Sequence, residues 1–383
     1  TIMSGLHGAV TDGSGNVTQR PHVVNHSWGS VGATTWVGTE VDAREIDAET
    51  YTYGQLHVWA AGNEGSGGSP LRLQASAKNA FTVGGVRDYR SGTEDPGYLY
   101  TSSSRGPAGD NRWKPNVSAP ATSIRSANAA VLNGYTNKTG TSMAAPHVTG
   151  LAATLCEHFS FLRYNPPTLG AVLMATALTK GNIVHSTPSA SSSSHLNTYG
   201  TGRVEALNAH LLTGGTGLYM WGWTQGTSGM NYVDLVVGAG ATRLTVCLFY
   251  TEPAASSGAS QALVNDLDLF LDQPPLSSGA TGEWTAQQSP INNVEIRSLN
   301  NPAAGTWRLK VNTDSATTNS KVGLCAFLSF GDTTPNGSLN VTASDSYVKP
   351  NEVVSISAAA YNPSFIASAV FADSTSSGDV LLS

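Results

Sequence analysis

Gly140-Thr141-Ser142-Met143-Ala144-Ala145-Pro146-His147-Val148 is the stretch from which the rest of the chain can be read. It opens a run to about His158 in which Met143, Val148, Leu151, Ala152 and Leu155 recur at roughly helical spacing, so a helix is predicted with Ser142 in its first turn. Small residues on both sides give a carbonyl group access to the Ser142 oxygen, and a helix N-terminus places partial positive charge beside it. Those are the surroundings of a nucleophile. A serine near a helix start is also the ordinary N-cap residue, and this stretch by itself leaves both readings open.

Upstream, Val58-Trp59-Ala60-Ala61-Gly62-Asn63-Glu64-Gly65 reads as a strand running into a glycine-flanked asparagine. An amide held at a strand end can donate to the oxyanion of a tetrahedral intermediate. The plainer alternative is an Asn in a left-handed turn.

Around these two stretches the pattern up to Leu212 alternates short apolar runs with helical periods, as parallel strands joined by crossover helices do. Strands are predicted at His22–His26, Gln55–Ala61 and Ala80–Gly85. An acid-rich helix is expected to be capped at Thr39 and to run to about Tyr53. Another is expected over Thr168–Leu178, after Pro166-Pro167, and with the Ser142 helix it should cover one face of the sheet. After Thr213 the texture changes to β-branched runs such as Arg243–Tyr250 and Thr306–Val311, the signature of an antiparallel sandwich or jelly roll. From Gly331 a third texture begins, with strands predicted at Ser338–Ala343 and Val353–Ala360.

The fold class is therefore α/β: a partial parallel-sheet domain over 1–212, an antiparallel β jelly roll over 213–331, and the start of a further β domain over 332–383. The length of 383 residues agrees, at roughly 150 residues per domain.

Composition narrows the function classes. Charged residues make up 12%, against about 25% in an average protein, with 41 glycines and a formal net charge of −6. No Lys/Arg cluster offers a field for phosphate, which argues against nucleic acid as a partner. No apolar run approaches the roughly 18 residues of a membrane span, and the first residues lack the charged and apolar segments of a signal peptide. The 3 cysteines, an odd count without CxxC spacing, indicate neither a zinc site nor a disulfide framework. Low charge and sequons at Asn16, Asn25, Asn116, Asn137, Asn336 and Asn340 fit a glycoprotein that is secreted or held at the cell surface.

The chain resembles the subtilisin-like serine proteases, and the resemblance rests on blocks in one order. Gly140–Val148 looks like the nucleophile motif with Ser142, and Trp59–Gly65 looks like the oxyanion block with Asn63. Asn25-His26-Ser27-Trp28-Gly29 is similar to the segment that pairs with a bound peptide as an added strand. Ser102–Pro107, Lys114–Pro120 and Gly200–Val204 match further blocks. Leu263–Leu269, Asn292–Glu295 and Pro302–Trp307 resemble the jelly roll that follows the catalytic domain in one branch of the family. The resemblance implies a serine endopeptidase that needs no cofactor for its chemistry. Its substrate peptide would lie along Ser27, Trp28 and Gly29, and the residue before the scissile bond would be walled by Ala60, Ala61 and Gly62.

The family triad runs Asp, His, Ser, and neither partner motif is present. His7 lacks the second half of a His-Gly-x-His pattern and is expected in a loop lining the cleft. His26 lies on the peptide-binding strand and His147 one turn into the Ser142 helix, and neither is assigned to the triad. Without a base the chain alone should be nearly inert. The expected partner is an N-terminal segment or separate chain carrying the catalytic Asp and His, and the alternative is an inactive surface or matrix scaffold that uses its β domains for assembly. Asp266 and Asp268, at i and i+2 on one strand face, could hold structural calcium with Asn265, or form a solvated face. Cys247 and Cys325 either pair, if their strands are neighbours, or remain buried thiols.

Overall fold

The computed structural model describes residues 10–11, 17–32, 35–66, 71–88, 98–178, 193–210, 217–276, 283–285, 289–330 and four short strands beyond. His7 lies outside them. The chain divides into two compact units, Thr1–Gly331 and Asp332–Ser383.

In the first unit a short hairpin, β1 (Val10–Thr11) and β2 (Val17–Gln19), precedes β3 (Val23–His26). Helix α1 (Val41–Tyr53) leads to β4 (Leu56–Ala60), followed by β5 (Phe81–Val86) and β6 (Val117–Pro120). These four strands form a parallel sheet in the order β3-β4-β5-β6. Every residue of β4 is buried, as expected for a parallel strand covered on both faces. Leu56, Val58 and Ala60 join one apolar core, while Trp59 joins the other, with Ala43 and Ile46 of α1. The alternation of Cβ directions along a strand thus separates the two sides of the sheet.

An exposed hairpin, β7 (Ile124–Ala127) and β8 (Tyr135–Lys138), runs into α2 (Thr141–His158). Helix α2 packs on the Val58 side through Ala144, Ala145, Val148, Ala152 and Leu155. Helix α3 (Pro166–Ala175) is buried over its whole length, with two prolines in its first turn and the Asn165 side chain accepting from the Thr168 N–H. It does more than cover the sheet, because its core is continuous with Cys247, Phe249 and Cys325 of the antiparallel strands. Two short helices, α4 (Ser193–Tyr199) and α5 (Ala206–His210), complete this part.

The α1 start departs from expectation. The cap position is Glu40, whose carboxylate accepts from the Val37 and Gly38 N–H groups. Thr39 instead donates its hydroxyl to the Ala259 carbonyl. A partner 220 residues away in sequence outcompetes the local cap.

Eight strands follow: β9 (Leu218–Gln225), β10 (Met230–Val237), β11 (Ala241–Thr251), β12 (Asp266–Asp272), β13 (Glu283–Thr285), β14 (Val294–Asn300), β15 (Gly305–Ser315) and β16 (Ser320–Phe330). They make two four-stranded antiparallel sheets, β10-β15-β12-β13 and β14-β11-β16-β9. The two sheets share one core, in which Leu244, Val246 and Leu248 of β11 meet Leu269 of β12 and Trp307 and Leu309 of β15. Cys247 and Cys325 stand directly opposite each other on β11 and β16, yet both are free, buried thiols.

The change of texture near residue 212 falls inside one compact unit, and a buried polar joint holds its two architectures together. Lys78 and Glu252, both fully buried, form an ion pair of 2.9 Å. Lys78 Nζ also donates to the Pro253 and Ala262 carbonyls at 2.7 and 2.6 Å. The Glu252 carboxylate accepts from the Val264 and Asn265 N–H groups at 2.7 and 2.6 Å. Asn293 donates to the Lys78 and Tyr250 carbonyls, and Asn292 accepts from the Trp113 N–H. A buried pair is tolerated when further hydrogen bonds satisfy both ions, as here.

In the second unit β17 (Asn340–Ala343) pairs with β18 (Ile356–Ala359), and β19 (Ala369–Ala372) with β20 (Asp379–Leu382), both antiparallel.

Candidate active site

The C-terminal ends of β3 and β4 and the N-terminus of α2 meet at one place. Gly140 starts the helix with φ +147°, a backbone conformation that side-chain-bearing residues rarely adopt, and a Cβ there would lie 3.3 Å from Asn63 Oδ1. The glycine lets Asn63 come close to the helix start. Asn63 Oδ1 accepts from the Thr141 N–H at 2.9 Å and from its hydroxyl at 3.2 Å. Because the oxygen end of the amide is held this way, its NH2 end is left as a donor beside the first turn. The Thr141 hydroxyl accepts from the Gly62 N–H at 3.1 Å and shares its single proton between Asn63 Oδ1 and the Gly62 carbonyl, the latter at 3.0 Å.

Pro146 has a role here that follows from its chemistry. Lacking an N–H, it cannot bond the carbonyl of the residue four before it, Ser142. That carbonyl accepts instead from the Ser27 hydroxyl at 2.9 Å, while the Ser142 hydroxyl donates to the Ser27 carbonyl at 3.2 Å. These two bonds tie the nucleophile candidate to the end of β3. The Ser142 N–H belongs to the first helical turn, whose amides lack intrahelical acceptors. Together with the Asn63 NH2 it can serve a developing negative charge near Ser142 Oγ.

The segments predicted to bind peptide flank this point. Trp28 is 41% exposed and packs edge-on against Trp59, whereas Ala60 and Ala61 are buried. Among the described residues β3 is an edge strand of the sheet.

The described histidines do not supply a base to Ser142. His26 is in register with Trp59, stacks on it at 4.0 Å, and bonds His57 Nδ1 through Nε2 at 3.0 Å. It therefore lies on the α1 face, while Asn25, one residue earlier, reaches Thr149 of α2. Burial lowers the His26 pKa to about 4, so the ring is neutral at pH 7. His147 is bonded through Nδ1 to the Met143 carbonyl at 2.7 Å within its own helix. His22, His158 and His195 pack against Tyr164, Phe159 and Tyr199.

Of the set read as a possible calcium site, Asn265 is engaged by its neighbours. Asn265 Oδ1 accepts from the Thr317 and Thr318 N–H groups, and its NH2 donates to Thr318 and Ser320. Among the described residues no three His, Cys, Asp or Glu side chains come together as a metal-binding group. Desolvation, with Asp268 and Asp314 nearby, raises Asp266 to about 6. The sequons divide: Asn25 and Asn137 are exposed, whereas Asn116 is 5% exposed and holds the Thr82 N–H, so it cannot carry a glycan in the folded chain. Among the described residues no helix is long and apolar enough to cross a membrane.

Three participants escaped the sequence reading. Thr141 and Glu64 stand inside the quoted stretches, where their neighbours drew the attention. Arg72, which pairs with Glu64 at 2.7 Å, carries no motif at all.

The profile of the Subtilase family matches residues 4–203. The chain is 35% identical to pyrolysin of Pyrococcus furiosus over 162 residues, covering 37% of this chain and 12% of that protein. To subtilisin DY of Bacillus licheniformis it is 32% identical over 171 residues, 44% of this chain and 52% of that one. It is 50% identical to the extracellular serine protease of Serratia marcescens over 48 residues, 12% of this chain and 4% of that protein. The solved structure of the patellamide maturation protease PatA is similar at a TM-score of 0.38 and 22% identity, covering 50% of this chain and 62% of that one. The chain thus spans less than two thirds of the length of these relatives.

Proposed function

The chain belongs to the subtilase family, and from that premise we propose that it is a serine endopeptidase acting on peptide bonds of proteins through an acyl-enzyme on Ser142. The observation that carries this reading is the pairing at the mouth of α2: Ser142 in the first turn, and Asn63 held by Thr141 so that its NH2 end remains a donor. In the proposed mechanism peptide lies along Ser27, Trp28 and Gly29, with the residue before the scissile bond beside Ala60, Ala61 and Gly62. Ser142 Oγ attacks the carbonyl carbon, and the Asn63 NH2 and the Ser142 N–H stabilise the oxyanion. No cofactor takes part.

A histidine must accept the Ser142 proton and return it to the leaving amine, with an aspartate orienting it. We assign both to a segment or chain other than the described residues. Among the described residues β3 is an edge strand, and an edge strand can pair with a further one, which supports this assignment. The antiparallel part is read as the jelly roll of the same family branch, and the protein as secreted or exposed on the cell surface.

A second reading, a scaffold without activity, draws on one observation: the Ser142 hydroxyl donates to a backbone carbonyl. The two readings separate on a fluorophosphonate probe applied to native material and followed by peptide mapping. Labelling at Ser142 that is lost in Ser142→Ala supports the peptidase; folded protein that stays unlabelled favours the scaffold. Asp-x-Gly and His-Gly-x-His motifs upstream in the gene would point the same way as labelling.

A further inference from the structure

Ser27–Gly29 at the end of β3 and Ala60–Gly62 at the end of β4 are the walls of the proposed slot for the residue before the scissile bond, and one segment ties them together. The Arg72 N–H donates to the Ala61 carbonyl at 3.0 Å, and the Leu73 N–H donates to the Ser30 carbonyl at 3.1 Å. The Arg72 side chain therefore rises from backbone that joins the two strand ends. Its stem occupies the space that two glycines leave open. A Cβ on Gly29 would lie 2.8 Å from Arg72 Cβ and 3.1 Å from its Cγ, and a Cβ on Gly62 would lie 2.5 Å from Glu64 Oε2, 2.6 Å from Ser104 Oγ and 3.1 Å from the same Arg72 Cγ.

The charged head is held as firmly as the stem. Arg72 Nη1 donates to the Gly29 carbonyl at 3.2 Å and Nη2 to Glu64 Oε1 at 2.7 Å. Glu64 Oε2 accepts from the Asn63 N–H at 2.8 Å and the Ser104 hydroxyl at 3.0 Å. The guanidinium and carboxylate neutralise each other, and both are anchored to backbone, so the pair offers no net charge to a ligand.

Resting on the peptidase reading above, we propose that Arg72 is a specificity-determining residue that closes the slot and restricts the residue before the scissile bond to small uncharged side chains such as Gly, Ala and Ser. A large apolar side chain would need the volume that the Arg72 stem fills. A lysine would have to displace Arg72 from Glu64. A carboxylate would give up its hydration to meet a guanidinium that is already paired. Glu64 also holds the Asn63 N–H, so the group that fixes Arg72 fixes the oxyanion loop as well.

The test uses the Ser142→Ala chain, which binds without cleaving. Fluorescence anisotropy follows labelled hexapeptides that differ only in the residue before the intended scissile bond, with Ala, Phe, Lys or Glu at that place. The Ala peptide should bind about tenfold or more tighter than the others, the size that exclusion from a small pocket gives. Adding Arg72→Ala should bring the Phe peptide to the affinity of the Ala peptide or above. Arg72→Met keeps most of the stem without the charge and should keep the preference for Ala. Equal binding of the Ala and Phe peptides by the parent, an unchanged ratio in Arg72→Ala, loss of the preference in Arg72→Met, or no binding of any peptide would overturn the proposal. Fluorophosphonate labelling of native material, in which the segment or chain bearing the proposed His and Asp is present, runs in parallel. If labelling fails while the peptide ratios come out as expected, the peptidase reading falls and the pocket assignment stands.

Discussion

Two polar clusters in this chain use different residue types for different ends. At the strand ends Ser27, Asn63, Thr141 and Ser142 are neutral, linked by a few bonds and, apart from the buried Thr141, partly open to solvent. At the joint with the sandwich Asp47, Lys78, Lys114 and Glu252 are charged types sealed from water. Burial raises the Asp47 and Glu252 carboxyls against the opposing pull of Lys78, and burial, helped by Arg112, lowers Lys114. Strongly perturbed ionisation is often a signpost of a catalytic site. Here it marks the joint, where buried charge holds two architectures together, while the site candidate is built of groups that do not titrate near neutrality.

The comparison breaks most visibly at Lys78. Lys78→Ala should destabilise the chain by about 3–5 kcal/mol in urea unfolding, because Glu252 would remain as an unpaired buried charge. Replacing both partners, in Lys78→Met with Glu252→Gln, should recover part of that loss. A small effect of the single change would mean that the joint is not a clamp.

At the other cluster, Asn63→Asp keeps the oxygen that Thr141 needs and removes the NH2 donor. Stability should change little, while the rate of fluorophosphonate labelling falls on the order of 10²–10³-fold, the effect of losing one oxyanion donor in subtilisin. An unchanged rate would remove Asn63 from the chemistry.

Asp266 sharpens the contrast from the sandwich side. Its folded pKa of about 6 lies above the ordinary carboxylate value of 3.8, so the folded chain binds this proton more tightly than the unfolded chain. The stability it contributes is full below pH 3.8 and is lost as pH rises through 6. Asp266→Asn should therefore raise stability at pH 7.5 by about 1–2 kcal/mol, after allowance for solvent screening of a half-buried group, and the gain should vanish near pH 4. Thermal melts across that range would read the difference. The smallest effect belongs to Ser27→Ala, which removes the hydroxyl bond to the Ser142 carbonyl and should cost about 1 kcal/mol of stability.

How far the fold could be read depended on whether the deciding partner was near in sequence. Helix α2 runs from Thr141 to His158 as predicted, since Gly140 and the apolar period around Val148 and Leu155 are local signals. Strand β4 was legible for the same reason. The α1 cap was not, because Thr39 turns to Ala259. Likewise Asn292–Glu295 and Leu263–Leu269 stand out as blocks, the second with a calcium role read into it, but not as parts of the joint. Their task is the joint: Asn293 grips Lys78, and Val264 and Asn265 grip Glu252.

The site divides along the same line. Ser142 and Asn63 stand out because each sits in a stretch of small residues at a predicted helix or strand end, so periodicity and glycine placement are enough to single them out. The bond from Thr141 to Asn63, the match between Pro146 and Ser27, the seating of His26 on the far face, and the passage of Arg72 between two glycines come from distant segments meeting in space. A linear sequence records which side chains are available and what local backbone they favour; which of them face one another is fixed when the sheet is paired and both its faces are covered.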